Sequence, residues 1–501
     1  MTEILNGLTT LFILVIGLIV LGLISLFFVD RYQTVDTVRR NYPIIGRMRY
    51  ILSDLGEFFR QYFFAMDREE MPFNRAQREW VNEASRGKST NVAFGSTRNL
   101  EPVGTPIFVN CPWPTLARDG VESRPMVIGK GSARIPYEAS SFFNISGMSY
   151  GALSTPAVRA LSNGAAKAKC WMNTGEGGLS PYHLEGGCDI VFQIGTAKYG
   201  VRDLEGNLSD EKLREVAAHK QVRMFELKLS QGAKPGKGGI LPAAKVNEEI
   251  AAIRGIPVGE ASISPNRHPD IGNINELLDM ISRIREVTGK PVGFKTVIGA
   301  YGWLEELFAE VNRRGEQSAP DFITVDSGDG GTGAAPLSLI DNVGLTLRES
   351  LPMLVDLRDR AGLKHRIRII ASGKLVTPSE VAWALCAGAD FTISARGFMF
   401  ALGCIQAMKC NKNTCPTGIT THDRSLQRGL DPTNKAERVA NFVKAVRDEV
   451  GVIAHSVGVQ GPRQMKRYHV RLVCADGRSE PLDQLHPSVK SQEFVEGSLS
   501  S

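Results

Sequence analysis

From about residue 140 onward the chain repeats one pattern: a short apolar run, a glycine-rich or polar loop, then a helical stretch. Candidate strands are Phe142–Ser146, Cys170–Asn173, Phe225–Leu229, Val292–Val297, Phe322–Asp326, Ile367–Ala371 and Phe391–Ser394, with Gly259–Ile263 as a weaker eighth. Helical stretches include Ala157–Lys169, Lys212–Lys220, Val246–Arg254, Ile274–Thr288, Leu304–Arg313 and Glu380–Ala387. Two helices carry boundary signals. Thr377-Pro378-Ser379-Glu380 reads as N-cap, N1 proline and N3 glutamate of a capping box, and Asn273 and Gly289 bracket another helix. Such alternation demands a parallel sheet with helical crossovers, either open and doubly wound or closed as a barrel. Gly328–Gly333 follows a candidate strand with G-x-G-x-x-G spacing but runs on into Ala334-Ala335-Pro336 instead of opening a helix, so it is not read as the dinucleotide-binding fingerprint. About eight strands over roughly 280 residues suit closure. The expected fold is α/β, a (β/α)8 TIM barrel, with chemistry at the C-terminal strand ends.

The unusual residues fall at those ends. Three consecutive candidate strands run into Asp326-Ser327-Gly328-Asp329-Gly330-Gly331-Thr332-Gly333, Ala371-Ser372-Gly373-Lys374 and Ser394-Ala395-Arg396-Gly397. Glycines let backbone N–H groups approach an anion, and barrels often bind phosphate with the loops after their last two strands. Lys374 and Arg396 supply charge there. One such loop is an ordinary tight turn; three in series point to a phosphate cradle. Lys295 lies inside the apolar run Gly293–Val297, where a lysine is costly unless it is paired or faces a ligand.

Ahead of this body, Ile4 to Val29 contains no charged residue. Its densest part, Leu11–Val29, rises roughly 28 Å as a helix, close to the ~30 Å hydrocarbon core. The first residues, Met-Thr-Glu, offer no basic region, and Phe27-Phe28-Val29-Asp30 offers no small-residue cleavage site, which disfavours a cleaved signal peptide. A retained single-pass helix is expected. Arg31, Arg39, Arg40, Arg47 and Arg49 follow it closely, placing the body on the cytoplasmic side. Leu55–Phe64 and Gln77–Val81 read as amphipathic, and Arg60, Tyr62 and Phe63 could lie along the membrane surface. The expected organisation is residues 1–30 anchor, 31–140 a partly helical connection, 141–421 the barrel, and 422–501 a helical extension and tail. Lys and Arg number 59 against 53 Asp and Glu, a slight excess without a basic block interleaved with aromatics, so no nucleic-acid partner is expected.

Eight cysteines in 501 residues exclude a disulfide scaffold. Three of them, Cys404, Cys410 and Cys415, fall in a C-x5-C-x4-C run ending in Pro416. Zinc sites show paired C-x2-C spacing and four ligands. Three thiolates suit a three-iron cluster, one per iron; the plain alternative is three buried thiols acting as small hydrophobes. The polar neighbours Lys409, Asn411, Lys412 and Asn413 favour the former. Cys111, Cys170, Cys188, Cys386 and Cys474 read as structural.

Several of these segments together resemble the FMN-binding synthase domain of glutamate synthase, from about Phe142 to Thr421. The motifs occur in one order: SGMSYGALS (146–154), NTGEGG (173–178), QGAKPGKGG (231–239), SGDGGTGAAP (327–336) and GCIQAMKCNKNTCPTGI (403–419). The resemblance implies a barrel carrying FMN and a [3Fe–4S] cluster, with Cys404, Cys410 and Cys415 as cluster ligands. It implies that Met148 and Ser149 contact the flavin and that Asp329, Gly330, Gly331, Gly373 and Gly397 form the phosphate and ribityl loops, beside Lys374. Glu176 and Lys295 match positions at the flavin face where the keto acid is handled. The implied reaction is reductive amination of 2-oxoglutarate with ammonia to L-glutamate.

The departures shape the remaining expectations. The family's glutaminase module begins with a catalytic N-terminal cysteine, whereas the first cysteine here is Cys111. Residues after the barrel are too few for the family's β-helical domain. Ammonia is therefore expected from solution or a separate glutaminase, and electrons from ferredoxin or a separate flavoprotein. Ser264–Asp270 only loosely follows the family's Pro/His-rich run, which leaves room for another amino or keto acid, such as N-methylglutamate formation. A membrane-tethered electron-transfer subunit is a further alternative.

Overall fold

The computed structural model describes residues 2–59, 63 and 66–487. Arg60, Tyr62 and the end of the expected tail lie outside the described residues. The chain divides into two compact units, Met1–Ala76 and Gln77–Ser501.

The first unit begins with α1 (Thr2–Tyr32), a helix long and apolar enough to cross a membrane by length and composition. Its apolar residues are exposed, but Asp30 near its end is fully buried. Asp30 accepts from Arg39 Nη2 at 2.6 Å, Arg47 Nη2 at 2.7 Å and the Ile44 backbone N–H at 3.1 Å. One buried carboxylate thus folds α2 (Thr37–Asn41) and the start of α3 (Ile45–Phe59) back onto the end of α1. The amphipathic pattern expected from Leu55 belongs to a helix that starts ten residues earlier. Ile45, Met48, Leu52 and Leu55 form an exposed stripe along it.

In the second unit β1 (Pro106–Phe108), β2 (Met126–Ile128) and β3 (Tyr137–Ala139) come first. The barrel follows with β4 (Phe143–Ile145), β5 (Met172–Asn173), β6 (Ile190–Ile194) and β7 (Val222–Lys228). An excursion then carries β8 (Ile240–Leu241) and β9 (Ser262–Ile263) as an antiparallel hairpin. Barrel strands β10 (Val292–Val297), β11 (Phe322–Asp326), β12 (Arg368–Ser372) and β13 (Phe391–Ser394) complete the circle. Late in the chain β14 (Val470–Val473) and β15 (Ser479–Pro481) pair with β1. All eight barrel strands are parallel, and β13 closes onto β4.

Seven of the eight expected strands take barrel positions. The weak eighth, Gly259–Ile263, does not: its last two residues belong to the β8–β9 hairpin. The missing stave is Ile190–Ile194, buried along its whole length. A strand covered on both faces shows no alternation and is easily passed over. The boundary signals hold. Glu380 Oε2 accepts from the Thr377 N–H at 2.9 Å, and Asn273 Oδ1 accepts from the Glu276 N–H at 3.0 Å, with Gly289 left-handed at the far end.

Two ends of the barrel differ in chemistry. The β2–β3 hairpin contributes Ile128, Tyr137 and Ala139 to an apolar cluster with Trp171, Val191, Met224, Phe322, Ile370 and Phe391. That cluster fills the N-terminal end. Toward the C-terminal ends the interior positions become Asn173, Gln193, Glu226, Lys228, Lys295, Thr324 and Asp326. Barrel interiors are ordinarily packed with branched apolar side chains, so this polar layer marks the functional end.

Candidate functional site at the C-terminal mouth of the barrel

Parallel register brings the polar layer together. Lys295 on β10 lies beside Lys228 on β7 and Thr324 on β11. Glu226 is almost fully buried and accepts three hydrogen bonds, from Asn173 Nδ2 (2.9 Å), Gln193 Nε2 (2.6 Å) and Thr324 Oγ1 (2.7 Å). Above it stand two ion pairs: Lys295 Nζ to Asp326 Oδ2 at 3.0 Å, and Lys228 Nζ to Glu176 Oε1 at 3.0 Å. The second oxygen bond to Asp326 Oδ2 comes from the Gly232 N–H at 2.9 Å.

Electrostatics fix the charge states. Burial works to raise the Glu176 pKa, but Lys228, Lys234 and Arg254 outweigh it and hold the carboxyl below its ordinary value. Burial likewise works against the Lys295 cation, and Asp326, Glu226 and Glu176 together hold its pKa above the ordinary value. Lys228 pairs with Glu176 and is the strand neighbour of Lys295, so both expected catalytic residues stand at one mouth. Lys234 differs: burial and the Lys228 charge bring it down to about 8.

Interlocked loops roof this layer. Gly175 has φ +64, and a Cβ there would lie 2.6 Å from the Ser149 backbone nitrogen, so the loops after β4 and β5 meet main chain to main chain. Gly373, at φ +120, does the same for the loops after β12 and β11, with Ser327 Cβ only 2.2 Å from a Cβ there. Met148 is buried, and its N–H donates to Asn173 O at 3.4 Å; Ser149 Oγ is 3.5 Å from Arg254 Nη2. Gly330 N–H donates to Ser327 O, Gly331 abuts the Arg396 side chain, and Gly397 N–H donates to Ser394 Oγ at 3.2 Å. Lys374 Nζ pairs with Asp329 Oδ2 at 2.8 Å, a half-exposed pair whose ammonium can exchange its partner for another anion. Arg396 donates to Thr332 O and lies 3.8 Å from Cys410 Sγ.

The cysteines separate into two kinds. Burial pushes Cys170, Cys188 and Cys386 up to about 12, as expected of inert core thiols. Cys404, Cys410 and Cys415 are free, and each sulfur has a polar neighbour: the Gln406 N–H at 3.4 Å, Arg396 Nη1 at 3.8 Å and Thr417 Oγ1 at 3.3 Å. Burial works to raise the Cys415 pKa, but hydrogen bonds from Thr417 and Thr420 bring it below its ordinary value; burial raises that of Cys404, which also feels Cys410 and Cys415. Among the described residues no three His, Cys, Asp or Glu side chains converge tightly enough for a single metal ion. Three thiols in one loop, each with a polar group beside its sulfur, are the soft donor type that an iron–sulfur cluster takes. Gln406, Met408 and Asn413 adopt left-handed backbone in this loop, a strain that clusters at ligand sites.

Sequence reasoning missed Glu226, Lys228 and Asp326 as site residues. The argument applied to Lys295 would have found the first two, since Phe225-Glu226-Leu227-Lys228 sets two charges at period two in a barrel strand.

Residues 115–460 match the family described as "Conserved region in glutamate synthase". The chain is 38% identical to the "Glutamate synthase large subunit-like protein YerD" of Bacillus subtilis (strain 168), over 94% of this chain and 97% of that one. It is 34% identical to the "Archaeal glutamate synthase [NADPH]" of Methanocaldococcus jannaschii, over 66% of this chain and 61% of the relative's length. A Rhizobium meliloti "Glutamate synthase large subunit-like protein" is 30% identical, over 66% and 75%. Among solved structures, the flavin-binding domain of baker's yeast flavocytochrome b2 aligns at TM-score 0.46 and 13% identity, over 86% of this chain and 88% of that one, too distant a likeness to argue from. With its family match spanning most of the barrel unit and its Bacillus relative nearly the whole length, the chain belongs to the glutamate synthase family.

Proposed function

We propose that this chain is an oxidoreductase that aminates 2-oxoglutarate with ammonia to L-glutamate, using FMN held at the barrel mouth and a [3Fe–4S] cluster held by Cys404, Cys410 and Cys415. The observation that carries this reading is the pair of buried ion pairs, Lys295–Asp326 and Lys228–Glu176, converging at one barrel mouth.

When bound, FMN supplies hydride to the imine carbon and the cluster supplies electrons singly. The chain's own groups bind and move protons. Lys295, a fixed cation, orients a substrate carboxylate or polarises the oxo group. Glu176, held as a carboxylate, takes a proton from the nitrogen once ammonia has added to the oxo carbon and returns it to the hydroxyl as water leaves. Lys228, Lys234 and Arg254 surround that carboxylate with positive charge suited to a dianionic keto acid. The loops bearing Met148, Ser149, Asp329, Gly330, Gly331, Gly373, Lys374 and Gly397 would hold the flavin. In this reading ammonia comes from solution or a separate glutaminase, electrons come from ferredoxin or a separate flavoprotein, and α1 anchors the body at the cytoplasmic face of a membrane.

One alternative keeps the site and changes the amine: methylamine would give N-methylglutamate. Another keeps the amine and changes the keto acid: Ser264–Asp270 departs from the family's run and lies against the site, with His268 Nε2 3.1 Å from Lys228 O and Asp270 paired to Lys198 at 2.5 Å. An electron-transfer subunit has less support, because it has no use for converging Glu176 and Lys295.

The test is anaerobic purification, a visible spectrum and electron paramagnetic resonance, then turnover with a reduced one-electron donor, 2-oxoglutarate, and either ammonia or methylamine. Flavin, iron and glutamate are expected. Absence of both flavin and iron refutes the reading; faster turnover with methylamine selects the first alternative.

A further inference from the structure

Lys245 has no part in the chemistry above, yet it is 2% exposed. It ends the short helical turn Ala243–Lys245 in the excursion between β7 and β10. Its ammonium donates to Ala152 O (3.3 Å), Cys410 O (2.8 Å) and Thr420 O (2.6 Å). Ala152 lies in the loop after β4, the loop of Met148 and Ser149; Cys410 and Thr420 lie in and beside the cysteine loop. An ammonium has three donors, and all three are used on main-chain oxygens.

Carbonyls satisfy the donors but do not neutralise the charge. No carboxylate pairs with Lys245 among the described residues, and its bonds to Cys410 O and Thr420 O seat the ammonium against the cysteine loop. A buried cation without a counter-anion is expensive, so this position makes physical sense when the cysteine loop is anionic. Other ties run in parallel. Asn413 Nδ2 donates to Ala244 O (3.2 Å), the Ser154 N–H donates to Ile419 O (2.9 Å), and His422 Nε2 lies 2.9 Å from Gly151 O. On the opposite side, Arg396 reaches Cys410 at its sulfur.

We propose that Lys245 is a positioning residue that supplies the fixed counter-charge of the thiolate-held iron–sulfur group and locks the cysteine loop to the loop carrying Met148 and Ser149. The proposal rests on the cysteines being cluster ligands. Two loops that serve different cofactors then move as one body, and stripping the iron removes the anion that justifies the buried ammonium.

Wild type and Lys245→Met are purified anaerobically and compared for iron, acid-labile sulfide and flavin per chain, for the paramagnetic resonance signal and for the cluster midpoint potential. Outer-shell partners commonly contribute 10–100-fold in metal affinity, so the variant should release iron to a chelator at about 10–100-fold weaker affinity while keeping its flavin. Any cluster that remains should have a more negative midpoint potential, because a nearby positive charge is gone. Iron retention and potential equal to wild type overturn the proposal while leaving the proposed function intact. A wild type without iron overturns this proposal, and one without flavin as well overturns the proposed function. Should Lys245→Met not fold, hydrogen exchange on wild type with and without iron decides. Loss of protection in residues 147–154 and 243–247 as well as 404–422 supports the lock, and loss confined to 404–422 overturns it.

Discussion

Replacing Asp326 by Asn isolates the charge of the central ion pair. Asparagine keeps an oxygen for the Gly232 N–H, now bonded at 2.9 Å, but gives up the anion 3.0 Å from Lys295 Nζ. At an effective dielectric near 20, opposite unit charges at that distance attract by about 5 kcal/mol. Glu226 and Glu176 continue to act on Lys295, so the loss falls at the lower end of the ~3–5 kcal/mol typical of breaking a buried pair from one side. Adding Lys295→Met removes the stranded cation, and the double variant should recover most of that loss. The measure is the coupling energy from a urea-unfolding cycle of the four proteins. The pH profile gives a second readout. In wild type the Asp326 pKa is lowered, so its contribution is lost only as pH falls through the folded value. The Lys295 pKa is raised, so its contribution is lost only as pH rises through the folded value. Stability from this pair is flat between the two unfolded values, about 3.9 and about 10.4. In Asp326→Asn burial weighs more heavily on Lys295, its folded pKa drops, and the unfolded chain binds more protons over the window below about 10.4. Stability of the variant should therefore rise with pH where wild type is flat. A loss under about 1 kcal/mol, or a profile parallel to wild type, refutes the reasoning about this pair.

Glu176→Gln should lower kcat by about 10²–10⁴-fold, the usual contribution of a positioned acid–base group, with flavin content unchanged; unchanged kcat by initial rates removes Glu176 from catalysis. Serine at any of Cys404, Cys410 or Cys415 should abolish the iron-dependent resonance signal, whereas Cys386→Ser should keep it; iron analysis and spectra separate the two classes. Deleting residues 2–32 should move the protein from the carbonate-washed membrane fraction to the supernatant, and a full-length chain already in the supernatant argues against anchoring.

Much of the fold was legible because it is encoded locally. Apolar runs separated by capped helices specify a parallel α/β sheet whatever else the chain does, and the caps at Thr377 and Asn273 form as their residues demand. Lys295 was legible for a related reason: a lysine flanked by apolar strand residues needs a partner, and its neighbours reveal the need. The identity of that partner was not. Asp326 sits on the next strand, and its proximity to Lys295 depends on the register between β10 and β11. The eighth stave failed similarly, since Ile190–Ile194 and the β8–β9 hairpin offer comparable short apolar runs, and only closure of the barrel distinguishes them.

By itself the sequence determined that this chain has one strongly apolar N-terminal helix, an α/β body with glycine loops at consecutive strand ends, and three thiols in one short loop. Only tertiary structure decided that Glu226 and Lys228 stand beneath the mouth, that one end of the barrel is apolar and the other charged, and that Lys245 joins two distant loops. The reason is physical: periodicity and capping act within a few residues, whereas a buried charge finds its partners across strands, and the main-chain carbonyls that hold Lys245 belong to every residue type and leave no trace in composition.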